Sequence, residues 1–438
     1  MRHAKLIKVV YTFFGIVLLY KLHLKRGIYF GGEERNVGNF FVFYDNFQND
    51  VLIYENLRDD GVLSANGEFA ISQNNPFHSK FKKGDVLVLV RALVGQQWSQ
   101  AGVIMVKLIS TPPTPIPILS LSYFPDQDGN EQLDPEITGM NDSISSIRIK
   151  VDQLTSQGVA ILQEASAYHG YKDSATEPSL NYFVFDSREF LSPMPVSNNE
   201  IPWKPGEGIY RPDYMGMLED INICDYVDNK GVKQVWLWSY HYGNVEPAES
   251  NMAMGNSSQA YWNQASYGDI SNSEQTNDMP TCSKTYTLYN YNYARELGEM
   301  MENHGHQIEA VLKFIDLDLF WNKFVGPYGG QPGERRCGWT HYAPNGSADY
   351  DWQNENDALS DCENWTPDGI GQQVTVDCHT WHGTTCTDDG GTNFKKWWMQ
   401  NIPGKNNALT YQGKNLKNWW DFLGDFDQAL QNGKGLTY

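Results

Sequence analysis

No cysteine occurs before residue 224, and basic residues are outnumbered by acidic ones, 33 against 53. The longest apolar stretch at the N-terminus, "VVYTFFGIVLLY" at 9–20, has twelve residues, where a membrane span needs about 20. These shortages bound the function. Residues 1–30 hold six Lys/Arg and no acid, so the remaining chain carries 27 basic against 53 acidic residues, about −26. A body that acidic repels phosphate backbones, and no basic stripe opposes this, so nucleic acid is excluded as a partner. The basic "MRHAKLIK" followed by a short apolar run reads as an export segment, a signal peptide or N-terminal membrane anchor over 1–30. No A-x-A-like site follows it, and Lys21, Lys25 and Arg26 sit just beyond the run, so cleavage and retention both stay open.

The 438 residues suffice for two or three domains with real cores. Residues 33–109 hold short apolar runs ("FFVFY", "DVLVLVRALV", "AGVIMVKLI") separated by Gly, Asn and Asp turns, the pattern of a small all-β sandwich. "STPPTPIP" at 110–117 reads as a stiff proline-rich linker. Residues 118–438 then alternate apolar runs with helical patterns: "ILSLSYF", a helix near 144–165, "NYFVFD", a helix ending at Gly231, "VKQVWLWSYH", "TYTLYNYNY" and a helix over 294–313. Strands apolar on both faces and alternating with helices predict an α/β domain with a largely parallel sheet. The last hundred residues are rich in Trp, Asn, Asp and Gly and predict a disulfide-bonded, loop-rich C-terminal lobe.

Cys224, Cys282, Cys337, Cys362, Cys378 and Cys386 form an even set in one half of the chain, which fits disulfides in an oxidising compartment. Fifteen pairings are open to six cysteines. "CHTWHGTTC" also spaces Cys378, His382 and Cys386 four apart with His379 beside them, a zinc-like set for which disulfide bonding is the default outside cells. Four sequons, at Asn141, Asn256, Asn345 and Asn364, accept glycans only where the host glycosylates.

The helix "ELGEMMENHGHQIEAVL" concentrates acid and imidazole. At about 100° per residue, with Glu299 at zero, Glu302, His306 and Glu309 fall near −60°, −20° and −80°. The stripe Arg295, Glu299, Glu302, His306, Glu309, Lys313 lies opposite Met300, Met301, Ile308, Val311 and Leu312. Its i,i+4 pairs suit a solvated helix face. One imidazole and two carboxylates within two turns equally suit a metal or acid–base site, although the order is not that of H-E-x-x-H zinc peptidases. His304 points to the apolar side, as a hydrogen-bonded core histidine.

Ligands of open α/β sheets bind beyond the carboxyl ends of the strands. The loops there hold acids, and the third, "SYHYGNVEPAESN", adds His241 with Glu246 and Glu249. In "DQDGNEQLD", Asp126, Asp128, Asn130 and Asp134 stand at positions 1, 3, 5 and 9 of an EF-hand count, but Glu131 replaces the glycine and Ile137 the final glutamate. A looser calcium loop or a plain Asp/Gly turn remains. "CGWTHYAPNGSADYDWQNENDALSDCENW" at 337–365 offers His341, Asn345, Asp349 and Asp351 to the helix stripe. Trp397, Trp398, Trp419 and Trp420, beside acids and amides, suit sugar platforms if exposed and a core if not.

Together these patterns lead to an exported hydrolase, metal-assisted by zinc or another divalent transition metal, acting on an extracellular glycan or peptide. Its expected site comprises Glu302, His306, Glu309, His341, His241 and Glu246, with His306, Glu309 and His341 as metal ligands. The rival expectation is a carbohydrate-binding or adhesive surface protein that works through its aromatic faces.

Overall fold

A computed structural model describes residues 112–126, 128–196, 209–241, 243, 245–262, 269–271, 278–327, 331–387 and 390–438; for 202–204 and short strands within 5–107 it describes the backbone alone. The side chains of the export segment and of the expected sandwich lie outside the described residues. The chain divides into two units, 1–112 and 113–438, and the second holds the features that follow.

Six strands form its sheet: β1 (Thr114–Tyr123), β2 (Leu180–Phe190), β3 (Gln234–Ser239), β4 (Ser250–Ala253), β5 (Asp269–Ile270) and β6 (Tyr286–Asn292). Their order is β2-β1-β3-β6-β4-β5. β1 pairs in parallel with β2 and β3, and β3 with β6. β4 runs antiparallel to both β6 and β5. The sheet is therefore mixed, not largely parallel as expected. Parallel neighbours need a crossover, usually a helix, and none of the described residues between β3 and β4 forms one. The chain turns back and adds a short strand in the opposite sense. "SNMA" and "DI" are too short and too polar to announce themselves as strands.

Every residue of β3 and of β6 is buried, as befits central strands covered on both faces. Helix α1 (Ile144–Ala165) starts where the Ser143 side chain accepts the Ser146 N–H, a standard N-cap. It buries Ile147, Val151, Leu154, Gly158 and Leu162, one stripe at helical spacing. The expected helix ending at Gly231 is shorter, α2 (Tyr214–Asp220), followed by a single wide turn over Asp225–Asn229. Helix α3 (Leu297–Ile315) follows β6 directly, and α4 (Thr392–Asn401) packs against both α1 and α3.

The C-terminal lobe has short helices and hairpins around buried tryptophans. Trp365, Trp397, Trp398, Trp419 and Trp420 are all core residues, with Trp365 edge-on to Trp419 at 5.6 Å. Among the described residues no tryptophan is exposed. Three disulfides close the structure: Cys224–Cys282, Cys337–Cys362 and Cys378–Cys386. They fit an oxidising compartment. Asn345 is buried, and its Nδ2 donates to the carbonyls of Asn354 and Asn356, so this sequon cannot carry a glycan in the folded chain. Among the described residues no helix is long and apolar enough to cross a membrane.

Candidate metal centre

Helix α3 is buried on both sides. Its apolar stripe, with Met300, Met301, Ile308, Val311 and Leu312, faces the core. His304 belongs there too: its ring stacks on Tyr289 at 3.8 Å and its Nε2 lies 2.8 Å from the Tyr291 hydroxyl. Burial lowers its pKa to about 3. The middle of the opposite stripe, which by spacing alone suits solvent, is covered by the 337–352 loop and α4, while Arg295 and Lys313 at its ends stay exposed. His306 and Glu309 are buried and Glu302 is half-buried. Gly305 permits this cover, since a Cβ there would sit 2.4 Å from Thr340 Oγ1.

Thr340 sets His341 over the helix. His341 Nε2 lies 2.9 Å from His306 Nε2 and 3.2 Å from Glu302 Oε1. Glu302 Oε1 is 4.0 Å from His306 Nε2. One ligand atom from each of Glu302, His306 and His341 thus falls within 4.8 Å of the others. Behind the pair stand two more carboxylates: Glu309 Oε2 at 3.2 Å from His306 Nδ1, and Asp349 Oδ1 at 3.7 Å from His341 Nδ1. The Glu309 carboxylate, within hydrogen-bond reach, favours a proton on His306 Nδ1, whereas Asp349 is only a charged neighbour of His341. The two Nε2 atoms face each other at 2.9 Å and His341 Nε2 also lies 3.2 Å from Glu302 Oε1, so a proton or a metal ion has to lie among the three groups. Two imidazoles on one tetrahedral zinc stand roughly 3.3 Å apart, so a slight opening of the pair admits the ion.

Charge in the site points the same way. Burial pushes the His306 imidazole towards neutrality, but the Glu309 hydrogen bond and the charges of Glu309, Glu249 and Glu302 outweigh it and hold its pKa near 8. Burial raises Glu302, and this is overcome by the His341 hydrogen bond and the Lys395 charge, leaving it ionised with a pKa of about 2. Glu309 is likewise held below the usual range by His306 against its own burial. Glu299 differs, because burial raises it to about 7 despite the Asn292 N–H that its Oε2 accepts. Lys395 Nζ donates to Glu302 Oε2 at 2.9 Å and to the carbonyls of Gly298 and Gly390. Its three protons are engaged, and the Trp352 ring lies 4.3 Å away.

Glu302, His306 and His341 meet. Glu309, expected as a ligand, stands instead behind His306, where it also accepts the Thr340 N–H at 2.7 Å. His241 and Glu246, also expected in the site, are not part of this ligand cluster, and burial with the Arg295 charge lowers the His241 pKa to about 4. Glu249 enters the centre, its Oε2 3.8 Å from His306 Nε2. The calcium candidates serve as turn groups. Asp126 Oδ1 accepts the Glu131 N–H, Asn130 Oδ1 that of Gln132, and Asp134 Oδ1 that of Glu136, while Asp128 adopts φ 56° in the turn. Among the described residues, Asp126, Asp128 and Asp134 do not bring one carboxylate oxygen each within 4.8 Å of one another. Asp351 and Asn345 shape the 345–356 loop. Cys378 and Cys386 are disulfide-bonded, with the His379 ring against Cys386 Sγ at 3.5 Å.

Lys395 gave no signal as a site residue. Only the two tryptophans of "FKKWW" drew notice in that stretch, and the burial of Lys395 in α4 makes it a partner for Glu302. Glu249 was visible as one of the acids after β3, without an indication that it, rather than Glu246, reaches α3. No known protein family, curated protein or solved structure matches this chain.

Proposed function

We propose that this chain is an exported metal-dependent hydrolase whose centre is Glu302, His306 and His341. The observation that carries this reading is the pair of Nε2 atoms 2.9 Å apart with a carboxylate behind each ring. Two imidazoles and one carboxylate form a three-ligand set that leaves a position open, as catalytic zinc sites do. Zinc bound there would polarise a carbonyl and lower the pKa of its water to about 7.

Such chemistry suits an amide or ester bond in an extracellular peptide or acylated glycan. Glycoside hydrolysis usually needs only two carboxylates and no metal. Glu249 comes from the loop before β4, not from the elements that hold the three ligands, and is 39% exposed. It takes the proton of the attacking water as the oxygen bonds to the acyl carbon. That proton passes to the leaving nitrogen or oxygen, which departs with the electron pair of the broken bond. Lys395 keeps Glu302 Oε2 occupied, so only Oε1 faces the centre.

The three disulfides support export, and the absence of an exposed tryptophan among the described residues weighs against a binder working through an aromatic face there. The test is metal content by mass spectrometry on protein purified without chelator, for wild type and for His306→Ala and His341→Ala. About one equivalent of zinc in wild type, lost in both variants, is expected. Wild type without a transition metal, or variants that keep it, would sink the proposal.

A further inference from the structure

Three exposed side chains flank the two imidazoles. The Glu249 side chain, with Oε2 3.8 Å from His306 Nε2, is 39% exposed. The Asp349 side chain, with Oδ1 3.7 Å from His341 Nδ1, is 54% exposed. The Tyr350 ring lies 4.5 Å from the His341 ring, and the residue is 53% exposed. The cations around them are withdrawn. Lys395 is enclosed behind Glu302, and Arg211, whose charge reaches Glu249, is 1% exposed. Exposed Arg295 precedes α3, whereas His306 lies in its third turn. A ligand approaching the imidazoles thus meets two carboxylates and an aromatic face before either buried cation.

The backbone brings acid and ring together. Tyr350 is left-handed, with φ 62°, a strained conformation for a bulky residue that survives only where neighbours impose it. Its N–H donates to the His341 carbonyl at 3.0 Å. The next residue, Asp351, accepts from the Ser347 N–H and hydroxyl and from Asn354 Nδ2. Consecutive side chains of an extended chain point apart, yet here Asp349 and Tyr350 both lie against His341. Asp349 does not hold the imidazole, since 3.7 Å is beyond hydrogen-bond reach. Its carboxylate makes no hydrogen bond among the described residues. A carboxylate left to water beside an aromatic face suits an ammonium group, because the ring attracts a cation and the acid supplies the opposite charge.

We infer that the substrate of this centre carries a positive charge within one residue of the bond cleaved, as the free N-terminus of a peptide does, and that Asp349 and the Tyr350 ring hold it. This inference rests on the metal reading above and narrows its substrate class. Asp349 and Tyr350 bind no ion and move no proton, so they set which substrate is held rather than whether metal binds.

The experiment uses the full chain loaded with Co²⁺, whose visible spectrum reports the ligand set, and two hydroxamates of one shape. One is trimethylammonioacetohydroxamate, and the other is 3,3-dimethylbutanohydroxamate, which has carbon in place of the charged nitrogen. Wild type should bind the charged probe about tenfold more tightly than the neutral one. Asp349→Asn and Tyr350→Leu should each shrink that ratio, which a change in cobalt affinity alone leaves unaltered. Equal affinity for the two probes in wild type would overturn the inference, as would cobalt-loaded protein that takes up neither. So would a preference that survives in both variants, which would trace it to the acidity of the whole chain. Failure of wild type to bind cobalt at all would instead bring down the metal reading, and this inference with it.

Discussion

Lys395 Nζ lies 2.9 Å from Glu302 Oε2, and no part of the lysine side chain reaches solvent. A buried ammonium in that position binds the C-terminal lobe to α3 through charge. Replacing it with methionine keeps the length and removes the charge, leaving Glu302 with less compensation than burial demands. Breaking a buried pair in this way costs about 3–5 kcal/mol. We expect Lys395→Met to lower urea stability by roughly that amount. Adding Glu302→Gln should then restore most of the loss, because no uncompensated charge remains. A double variant no more stable than the single one would show that the pair is not the source.

Glu309 acts through His306. Its Oε2 fixes the imidazole from the Nδ1 side and its Oε1 holds the Thr340 N–H. Glu309→Gln preserves the shape and removes the charge that makes His306 a strong ligand. Outer carboxylates of this kind are worth about 10–100-fold in metal affinity. Zinc titration against a competing chelator should show a loss in that range with the far-ultraviolet dichroism unchanged. An unaltered affinity would leave Glu309 with a structural role only.

The two stripes of α3 are legible in the chain because a 3.6-residue period sorts side chains by direction. The same wheel cannot say what covers a stripe. A projection places Glu302, His306 and Glu309 together, but helical side chains lean towards the N-terminus. His306 therefore presents Nε2 at the level of Glu302 and turns Nδ1 to Glu309, which separates ligand from support. That His341 would come from the 337–365 loop followed from the density of polar residues there. The Lys395 contact needed the packing of α4. The reversal at β4 was hidden for another reason: four- and two-residue strands carry too little pattern to read. In the Asp126–Asp134 loop the sequence could not separate two roles, because the oxygens that bind calcium also cap turns.

Asp278, which is not one of the three ligands, provides a pH test. It is buried, and Asn251 Nδ2 donates to its Oδ1 at 3.0 Å. Burial raises its pKa from 3.8 to about 7, against the opposing Arg211 charge. Between those values the folded state binds the extra proton, so this group's contribution to stability is greatest below about pH 4. It falls as pH rises to about 7 and is constant beyond. The span amounts to roughly 4 kcal/mol at most. Asp278→Asn removes the titration, so the stability of wild type relative to the variant should decline from pH 4 to pH 7 in urea melts. A difference that stays flat with pH would show that Asp278 remains ionised in the fold.

Gly305 is where the helix and the histidine loop come closest, and an added methyl group there would strike three atoms of Thr340, with Oγ1 at 2.4 Å, Cγ2 at 2.9 Å and Cβ at 3.2 Å. Two effects of Gly305→Ala oppose each other. Alanine favours an interior helical position by about 1 kcal/mol, whereas the clash displaces Thr340 and with it His341, the next residue. The helix itself gains, so the fold should lose little, and thermal unfolding should shift by only a few degrees. Metal binding should suffer far more, since His341 must keep its Nε2 beside that of His306 for both to share one ion. We expect zinc affinity to fall at least tenfold while His306 and Glu302 remain in place. A variant that binds zinc like wild type would mean that Thr340 rotates aside without moving His341, and that the close approach at Gly305 is not what positions the second imidazole.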